Sequence, residues 1–303
     1  MARAVVATGY GPPTVLQSGE VEVRDPGPAQ IRVAVRFAGV GPTDLAIRAG
    51  HLREVYPLPP GGVLGFEAAG TVEAVGADVA DVSPGDEVAV FLNPTLGGYA
   101  ELVLADFWVR KPASVGWAAA AALPASAEAA IRVLNQLGIG SGETLLLLGG
   151  AGSVGTIATQ IAVARGVKVI SAVRPVDFAA AEAAGATPVD FHRPLAEAVP
   201  AVAGRIDAVM DASGRSDLEA AIELAGGAKR VITLSDPRGP SLGVALSGPV
   251  PEYVRDLLAE AMGLLATGRL RLRERTVLPL AQAADAHARL ESGELRGKIL
   301  LRI

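Results

Sequence analysis

The sequence contains no cysteine among its 303 residues. Disulfides are therefore excluded, and so is any zinc site that needs thiolate ligands. Histidine is also scarce, because His51, His192 and His287 are the only three and none has metal-ligand spacing such as H-x-x-x-H. We interpret each histidine as an ordinary surface or packing residue.

Long hydrophobic runs and clusters of one charge are missing as well. The most apolar stretches, 118–123 and 144–148, are far too short to span a bilayer. The first seven residues turn polar too early for a signal peptide. The net charge of −5 includes no basic cluster, so nucleic acid binding has no electrostatic support. We expect a cytoplasmic protein with neither nucleic acid nor membrane as a partner.

The first hundred residues have the pattern of a β-rich domain. Half of all residues are hydrophobic and 19% are charged, which indicates a globular chain long enough for two domains. Short apolar or alternating runs between Gly, Pro and Asp turns predict strands at 4–8, 21–24, 31–38, 69–75 and 87–91. Strands this short and closely spaced are typical of a partly closed barrel or sandwich.

Helices and strands alternate after residue 116. The predicted strands are 144–148, 167–173, 206–211 and 230–234, and the predicted helices are 117–123, 125–137, 154–165, 178–184 and 217–225. Uninterrupted apolar strands between helices predict an α/β fold with a parallel sheet covered on both faces. Two further helices, 252–266 and 282–290, precede a strand at 298–303, and we expect this C-terminal part to fold back onto the first domain.

A glycine-rich loop follows the predicted strand 144–148. It holds the pattern G-x-G-x-x-G, and its candidate cofactor-binding residues are Gly150, Ala151, Gly152, Ser153, Val154 and Gly155. In such a loop the first glycine allows a tight turn, the second lets the backbone approach a pyrophosphate, and the third lets the helix pack closely on the strand. The N–H groups at the helix start then face the phosphates. The alternative is a glycine-rich turn without a ligand.

The next predicted strand ends at Val173 and is followed by Arg174. A site for NAD usually has Asp or Glu at this place, whereas a guanidinium suits the 2′-phosphate of NADPH. Asp177 is the competing candidate, but it comes three residues after the strand and follows Pro175. The alternative for Arg174 is a solvated loop charge. We therefore predict NADPH as the cofactor.

Several segments agree in order and spacing with a known family. They are GVGPTD at 39–44, GFEAAG at 65–70, PGDEV at 84–88, GGYAE at 97–101, AAALP at 120–124, GGAGSVG at 149–155 and RGKIL at 296–300. Together they cover essentially the whole chain. The sequence resembles the zinc-free quinone oxidoreductase branch of the medium-chain dehydrogenase/reductase superfamily.

The resemblance implies a particular domain organisation. A GroES-like, β-rich domain would take residues 1–116 and 262–303, and a Rossmann domain with a doubly wound parallel sheet would take residues 117–261. The active site would lie in the cleft between them. Relatives commonly pair through the Rossmann domain, so we expect a homodimer. The apolar run 243–250 is placed where an edge strand could pair with its twin across a two-fold axis.

The sequence departs from the family at the substrate side. Zinc-dependent relatives carry Cys and His where this chain has Gly41 and Phe66, and Glu67 alone cannot hold a catalytic zinc, which needs three protein ligands. Zinc-free relatives often have Asn at the position of Gly41 and Tyr at that of Ala46. The usual Thr before the nucleotide loop is replaced by Ala129.

Without a metal, alcohol dehydrogenation lacks its Lewis acid, so hydride transfer to a quinone or to a C=C bond conjugated with a carbonyl fits better. The candidate catalytic residues are Thr43, Asp44 and Tyr99, and the candidate substrate-pocket residues are Val40, Phe66 and Asn93. Thr43 or Tyr99 would donate a hydrogen bond to the acceptor oxygen, and water is another proton source. Alternatively, Asp44 and Glu67 only brace the site, which we consider the better interpretation of these two carboxylates.

Three further residues are assigned to the cofactor. Ser213 and Gly214 follow a predicted strand at the carboxyl edge, where cofactors bind in such sheets, and Lys298 lies in the closing family segment. Two functions are therefore open. The first is an NADPH-dependent quinone or enone reductase acting on a small molecule, and the second is a non-catalytic NADPH-binding sensor or structural protein.

Overall fold

Contacts within the chain separate it into two units, and the computed structural model describes residues 1–248 and 250–303. The first unit comprises Met1–Ala125, Tyr253–Arg269 and Glu274–Ile303, and the second comprises Ser126–Glu252 and Leu270–Arg273. The domain boundaries expected from the sequence, 116/117 and 261/262, stay a prediction. Within the described parts of the chain, no helix is long and apolar enough to cross a membrane.

Strands predominate in the first 110 residues, and from β9 onward strands and helices largely alternate, as the sequence pattern indicates. The strands are β1 (Ala2–Ala7), β2 (Leu16–Val21), β3 (Ile31–Val40), β4 (Gly62–Val63), β5 (Glu67–Val75), β6 (Glu87–Phe91), β7 (Leu102–Ala105), β8 (Phe107–Arg110), β9 (Thr144–Leu148), β10 (Lys168–Val173), β11 (Thr187–Asp190), β12 (Ala208–Asp211), β13 (Val231–Thr233), β14 (Ala245–Leu246), β15 (Arg275–Pro279) and β16 (Lys298–Arg302). The helices are α1 (Pro42–Arg48), α2 (Trp117–Ala121), α3 (Pro124–Leu137), α4 (Ser153–Ala164), α5 (Phe178–Ala183), α6 (Leu195–Ala198), α7 (Leu218–Leu224), α8 (Val254–Ala266) and α9 (Ala283–Glu291).

The first unit is built from two sheets. One has the order β2-β1-β4, and the other has the order β15-β16-β3-β5-β6-β8, with β7 also paired to β3. Along β3 the side chains of Ile31, Val33 and Val35 are buried and alternate with more exposed ones, as the two-residue period of a strand requires. The last strand β16 pairs antiparallel with β3, which confirms that the C-terminus returns to the first unit.

The second unit contains one parallel sheet with the order β11-β10-β9-β12-β13-β14. Four consecutive leucines of β9, Leu145–Leu148, are buried, as expected for a central strand covered on both faces. The chain moves outward from β9 to one side through β10 and β11, and then to the other side through β12. The carboxyl end of β9 is therefore the point where the strand order reverses, which is the usual place for a ligand in such sheets.

Some elements differ from the sequence prediction. The predicted strand 21–24 is wrong, because the chain pairs with β1 over Leu16–Val21 instead. Gly19 hid this strand, since glycine disfavours strands, but a Cβ at Gly19 would lie 2.9 Å from the Val6 side chain. Helix α1 and strand β15 were not predicted, and α1 has only seven residues.

The junction between α3 and β9 generates a testable prediction. Arg230 contacts both oxygens of Glu143 and donates to the carbonyl of Leu137 at the end of α3. The Arg230 hydrogen bond is the largest cause that lowers the pKa of Glu143 from 4.5 to about 2. We expect Glu143→Gln to lower the free energy of unfolding at pH 7 by about 1 kcal/mol, because both side chains are only partly shielded from water.

The pH dependence of this loss has a definite sign. A depressed carboxyl pKa gives stability that is present above 4.5 and is lost as the pH falls toward 2. Denaturant unfolding at several pH values should therefore show that the free energies of unfolding of the wild type and of Glu143→Gln become equal as the pH falls through that range. Glu197→Gln, which alters a more exposed and longer ion pair, serves as the control. A constant difference down to pH 2 would contradict the prediction.

Candidate active site

The glycine-rich turn after β9 fits its surroundings only without side chains. Gly149 has a φ of 80°, so the tight turn lies here rather than at Gly150 as expected, and a Cβ at Gly149 would lie 3.0 Å from Ser213. A Cβ at Gly150 would lie 1.9 Å from Ser171 Oγ, and one at Gly155 would lie 2.4 Å from the Gly149 carbonyl. The turn is thus held tightly against β10 and against the first turn of α4.

Gly152 differs from these glycines. Its φ is −72°, and an added Cβ would meet only the Gly149 carbonyl, at 3.2 Å. This contact with a backbone atom is tight, but it is less severe than the contacts at Gly150 and Gly155. The close approach of a ligand to the backbone would be a further reason for glycine here. The first helical hydrogen bond of α4 runs from Thr156 N to Gly152 O, so the N–H groups of Ser153, Val154 and Gly155 precede it. These groups fit a pyrophosphate.

Asp211, at the carboxyl end of β12, organises the turn that contains Ser213 and Gly214. Its buried carboxylate accepts hydrogen bonds from Ser213 N and Oγ and from Gly214 N, and also from Ser216 Oγ and Thr233 Oγ1. The turn is thereby fixed next to Gly149. The structure brings Ser213 and the glycine-rich turn together, while the direct cofactor contacts of Ser213 and Gly214 stay predictions.

Arg174 follows β10 and is already engaged by a neighbour. Its Nε and Nη2 both donate to Asp177 Oδ2, at 2.9 and 2.7 Å. The side chain of Arg174 therefore lies just beyond the end of β10, partly exposed and paired, and its assignment to the cofactor stays a prediction. The carboxylate that the sequence placed second, Asp177, is its direct partner.

Lys298 lies in the first unit, on β16. Its ammonium forms a buried ion pair with Glu67, whose Oε2 accepts a hydrogen bond from Ala125 N at 2.8 Å. A Cβ at Gly39 would lie 2.4 Å from the Glu67 carboxylate, so strand β3, which contains Gly39, passes close to the ion pair. These contacts support a bracing role for Glu67. The assignment of Lys298 to the cofactor stays a prediction.

Asp44 joins two loops of the first unit. Its Oδ2 accepts from Gly41 N at 2.9 Å, and its Oδ1 accepts from Gly65 N at 3.0 Å. Burial raises the pKa of Asp44 to about 7, while these hydrogen bonds oppose the rise. The bonds support the bracing interpretation, because both oxygens are used within the protein. Thr43, the preceding residue, is exposed.

Tyr99 is fully buried, and its hydroxyl lies 3.0 Å from His287 Nε2. Desolvation raises the pKa of Tyr99 well above 10, and desolvation followed by the charge of Arg48 lowers the pKa of His287 to about 3. The two rings therefore form a neutral internal pair, and His287 is a packing residue as expected. The predicted donation from Tyr99 to a substrate oxygen receives no support from this contact.

Tyr56 is a residue that the sequence analysis missed. Its hydroxyl donates to Asn93 Oδ1 at 3.3 Å, and its ring meets Phe66 edge to face at 5.1 Å. Phe66 also approaches Phe91, at 6.3 Å. Tyr56 thus brings together two of the predicted pocket residues. The third, Val40, is buried on β3. The only sequence signal for Tyr56 was its rarity, since the chain has four tyrosines.

The donor set around Phe66 does not fit zinc. Over residues 1–248 and 250–303, no group of three or more His, Asp or Glu side chains is arranged to hold a metal ion. Gly41 and Phe66 offer no ligand atoms in their side chains. The nearby carboxylates, Asp44 and Glu67, are both occupied by internal partners. The residues present therefore suit an aromatic or conjugated group rather than a metal.

Two family models match the chain. The model described as the alcohol dehydrogenase GroES-like domain matches residues 27–115, and the one described as zinc-binding dehydrogenase matches residues 179–301. The second description names zinc, but the donor set given above does not provide a site for it.

Known proteins are similar over the whole length. A quinone oxidoreductase of Pseudomonas aeruginosa is 31% identical, with 99% of each chain covered. An NADPH-dependent alkenal/one oxidoreductase of Arabidopsis thaliana is 27% identical, with 99% of this chain and 79% of the relative covered. The structure of Escherichia coli quinone oxidoreductase complexed with NADPH has a TM-score of 0.85 at 26% identity, with 100% of each chain covered.

Gly152 provides a direct test of the nucleotide site. We expect Gly152→Val to weaken dinucleotide binding at least about tenfold, or about 1.4 kcal/mol, because the side chain fills the space that the pyrophosphate needs. Fluorescence titration would measure the affinity, and circular dichroism would confirm folding. Gly204→Val is the matched control, since a Cβ there meets nothing within 4 Å. Unchanged affinity in folded Gly152→Val would mean that the phosphates bind elsewhere.

The Tyr99–His287 pair predicts a pH effect on stability. A depressed histidine pKa means that the unfolded chain binds an extra proton below 6.5, so stability is full above 6.5 and falls as the pH drops toward 3. His287 should contribute a slope of up to about 1.4 kcal/mol per pH unit within that range. In denaturant unfolding, the double variant with Tyr99→Phe and His287→Leu should lose this pH dependence of the free energy of unfolding. The single variant Tyr99→Phe should keep it. Equal slopes in both variants would refute the assignment.

Proposed function

The chain belongs to the zinc-free quinone oxidoreductase branch of the medium-chain dehydrogenase/reductase superfamily, and from this we propose that it transfers hydride from NADPH to a quinone or to the C=C bond of an α,β-unsaturated carbonyl. The observation that carries the proposal is the cluster of Tyr56, Phe66 and Asn93. Its Phe66 stands at a position where zinc-dependent relatives carry a histidine ligand, and the cluster offers aromatic surface and hydrogen-bonding groups instead.

The nicotinamide cofactor follows from the family, and the choice of NADPH is part of the proposal. Strand β10 ends at Val173 without a carboxylate, and the guanidinium of Arg174 comes next. A planar guanidinium matches a 2′-phosphate better than a ribose hydroxyl. The E. coli quinone oxidoreductase solved with NADPH and the Arabidopsis alkenal/one oxidoreductase support the same cofactor.

The first-unit residues would act on the acceptor. Bound NADPH supplies the hydride. Before the acceptor binds, the Tyr56 phenol donates its one O–H to the side-chain carbonyl of Asn93. The hydroxyl would then turn to the acceptor and give its proton to the oxygen or carbon that becomes negative after the transfer, and the phenolate would regain a proton from water. Phe66 gives a planar apolar surface that excludes water. No Lewis acid is required, because quinones and enones are already polarised.

The non-catalytic alternative receives no support from the comparisons, because the similar full-length proteins are named as reductases or oxidoreductases. We therefore keep the enzyme as the proposal, with a small-molecule substrate and a cytoplasmic location.

Turnover tests the proposal directly. We expect NADPH oxidation with 1,4-benzoquinone or with a member of an enone panel, at a rate that a metal chelator does not change. Tyr56→Phe should lower kcat for the enone about tenfold to hundredfold, because it removes the proton donor, and should leave NADPH affinity unchanged. Tyr253→Phe, on the surface of the same unit, is the control. NADPH binding without oxidation by any acceptor would favour the non-catalytic alternative.

The homodimer is also part of the proposal. Strand β14 is the edge of the six-stranded sheet, and its Leu246 side chain is exposed, which leaves a strand edge for a second copy. Pro249, within the apolar run 243–250, lies outside the described residues. Light scattering should give about twice the chain mass of 30.7 kDa. Leu246→Lys should shift the protein toward the monomer, whereas Val277→Lys on the first unit should not.

A further inference from the structure

Asp177 binds the side chain on which the choice of NADPH depends. We propose that Asp177 is a specificity-determining residue that reduces the preference for NADPH, so that the site also accepts NADH. The inference rests on the proposed function, because it concerns the same cofactor site.

The pair is built into the local backbone. After β10 the chain makes a single 3-10 turn over Pro175–Asp177, closed by a hydrogen bond from Asp177 N to Arg174 O at 2.8 Å. This turn brings the Asp177 side chain back toward Arg174, three residues earlier. The contact is therefore a product of the short segment Arg174-Pro175-Val176-Asp177 and not of a chance surface encounter.

The contact with Asp177 leaves Arg174 able to bind a 2′-phosphate, but the carboxylate neutralises the charge of the guanidinium. Nε and Nη2 together give two of the five guanidinium N–H groups to a single oxygen, Asp177 Oδ2. The other fork of the guanidinium, formed by Nη1 and the outer N–H of Nη2, still points away from Asp177. A 2′-phosphate can reach that fork, but it meets an ion pair with no net charge instead of a free cation.

The carboxylate affects the two cofactors in opposite directions. A 2′-phosphate carries about two negative charges, so Asp177 repels it across the guanidinium. The Asp177 side chain is only 17% exposed, compared with 35% for Arg174, so water screens the repelling group less than the attracting one. Among residues 1–248 and 250–303, nothing donates to Asp177 Oδ1, which therefore remains open to the 2′-hydroxyl of NADH.

The neighbouring loop does not restore a positive field. After β11, His192 contacts Asp190 at 3.0 Å, and Arg193 lies 3.8 Å from Glu197. In the described loops after β10 and β11, the charges of Arg174 and Arg193 are thus each offset by a carboxylate, and His192 also contacts a carboxylate. The edge that would hold the adenosine ribose is close to neutral, which suits either dinucleotide.

Binding measurements separate this role from catalysis. Fluorescence titration would give the Kd of NADPH and of NADH for the wild type, Asp177→Asn, Arg174→Ala and the double variant. Asn keeps an oxygen for Arg174 and removes only the charge. We expect Asp177→Asn to tighten NADPH about tenfold and to leave NADH unchanged or slightly weaker, with a smaller effect at high salt. Arg174→Ala should weaken NADPH, and the double variant should lose the gain from Asp177→Asn.

The control is Asp285→Asn, which removes one charge from another Asp–Arg pair on the surface of the first unit. An Asp177→Asn protein whose NADPH-to-NADH Kd ratio stays within about twofold of the wild type would overturn the inference. Weaker NADPH binding would overturn it too, since Asp177 would then serve to orient Arg174. Wild-type protein that binds neither dinucleotide would instead contradict the proposed function.

Discussion

The close approach of the glycine-rich turn to its neighbours is the constraint on which the nucleotide site depends. Gly150 lies against Ser171 of β10, and Gly155 lies against Gly149 at the foot of the turn. These contacts leave no room for a Cβ, so they fix the distance between the end of β9 and the start of α4. Because α4 begins directly after this turn, its free N–H groups converge on the position where we expect the pyrophosphate. A Cβ at Gly152 would be less crowded than one at Gly150 or Gly155, and Gly152 is where we expect the pyrophosphate to approach the backbone.

In the first unit, several buried polar groups pair with one another or with the backbone. Asp44 uses both oxygens on backbone N–H groups, Glu67 pairs with Lys298, and Tyr99 pairs with His287. Buried charges without partners would be strongly destabilising. These groups therefore shape loops and strands, which is why we propose that the substrate chemistry falls to the cluster of Tyr56, Phe66 and Asn93.

Much of the second unit could be predicted from sequence, because its signals are local. The apolar run Thr144–Leu148, the glycine pattern and the following amphipathic helix lie within about twenty residues, and strand β9 has the predicted bounds. The roles in the first unit were harder to predict. Tyr99 belongs to a family segment but points into the core toward His287, 188 residues later. Tyr56 belongs to no motif, and only the fold brings it to Asn93 and Phe66. Asp177 was recognised as a candidate, but its contact with Arg174 depends on a turn that the sequence did not specify.

The position of β16 has a consequence for biosynthesis. This strand, the last in the chain, lies inside the seven-stranded sheet between β15 and β3, and it carries the ammonium that compensates Glu67. The second unit is nearly continuous in sequence and can form while the ribosome is still translating. The first unit begins to be made earlier, yet its sheet stays open and its Glu67 carboxylate stays uncompensated until β16 has been synthesised. The unit whose synthesis starts first is thus completed after the second, and until β16 pairs, the unpaired edge of β3 is a surface on which chaperones or other nascent chains can act.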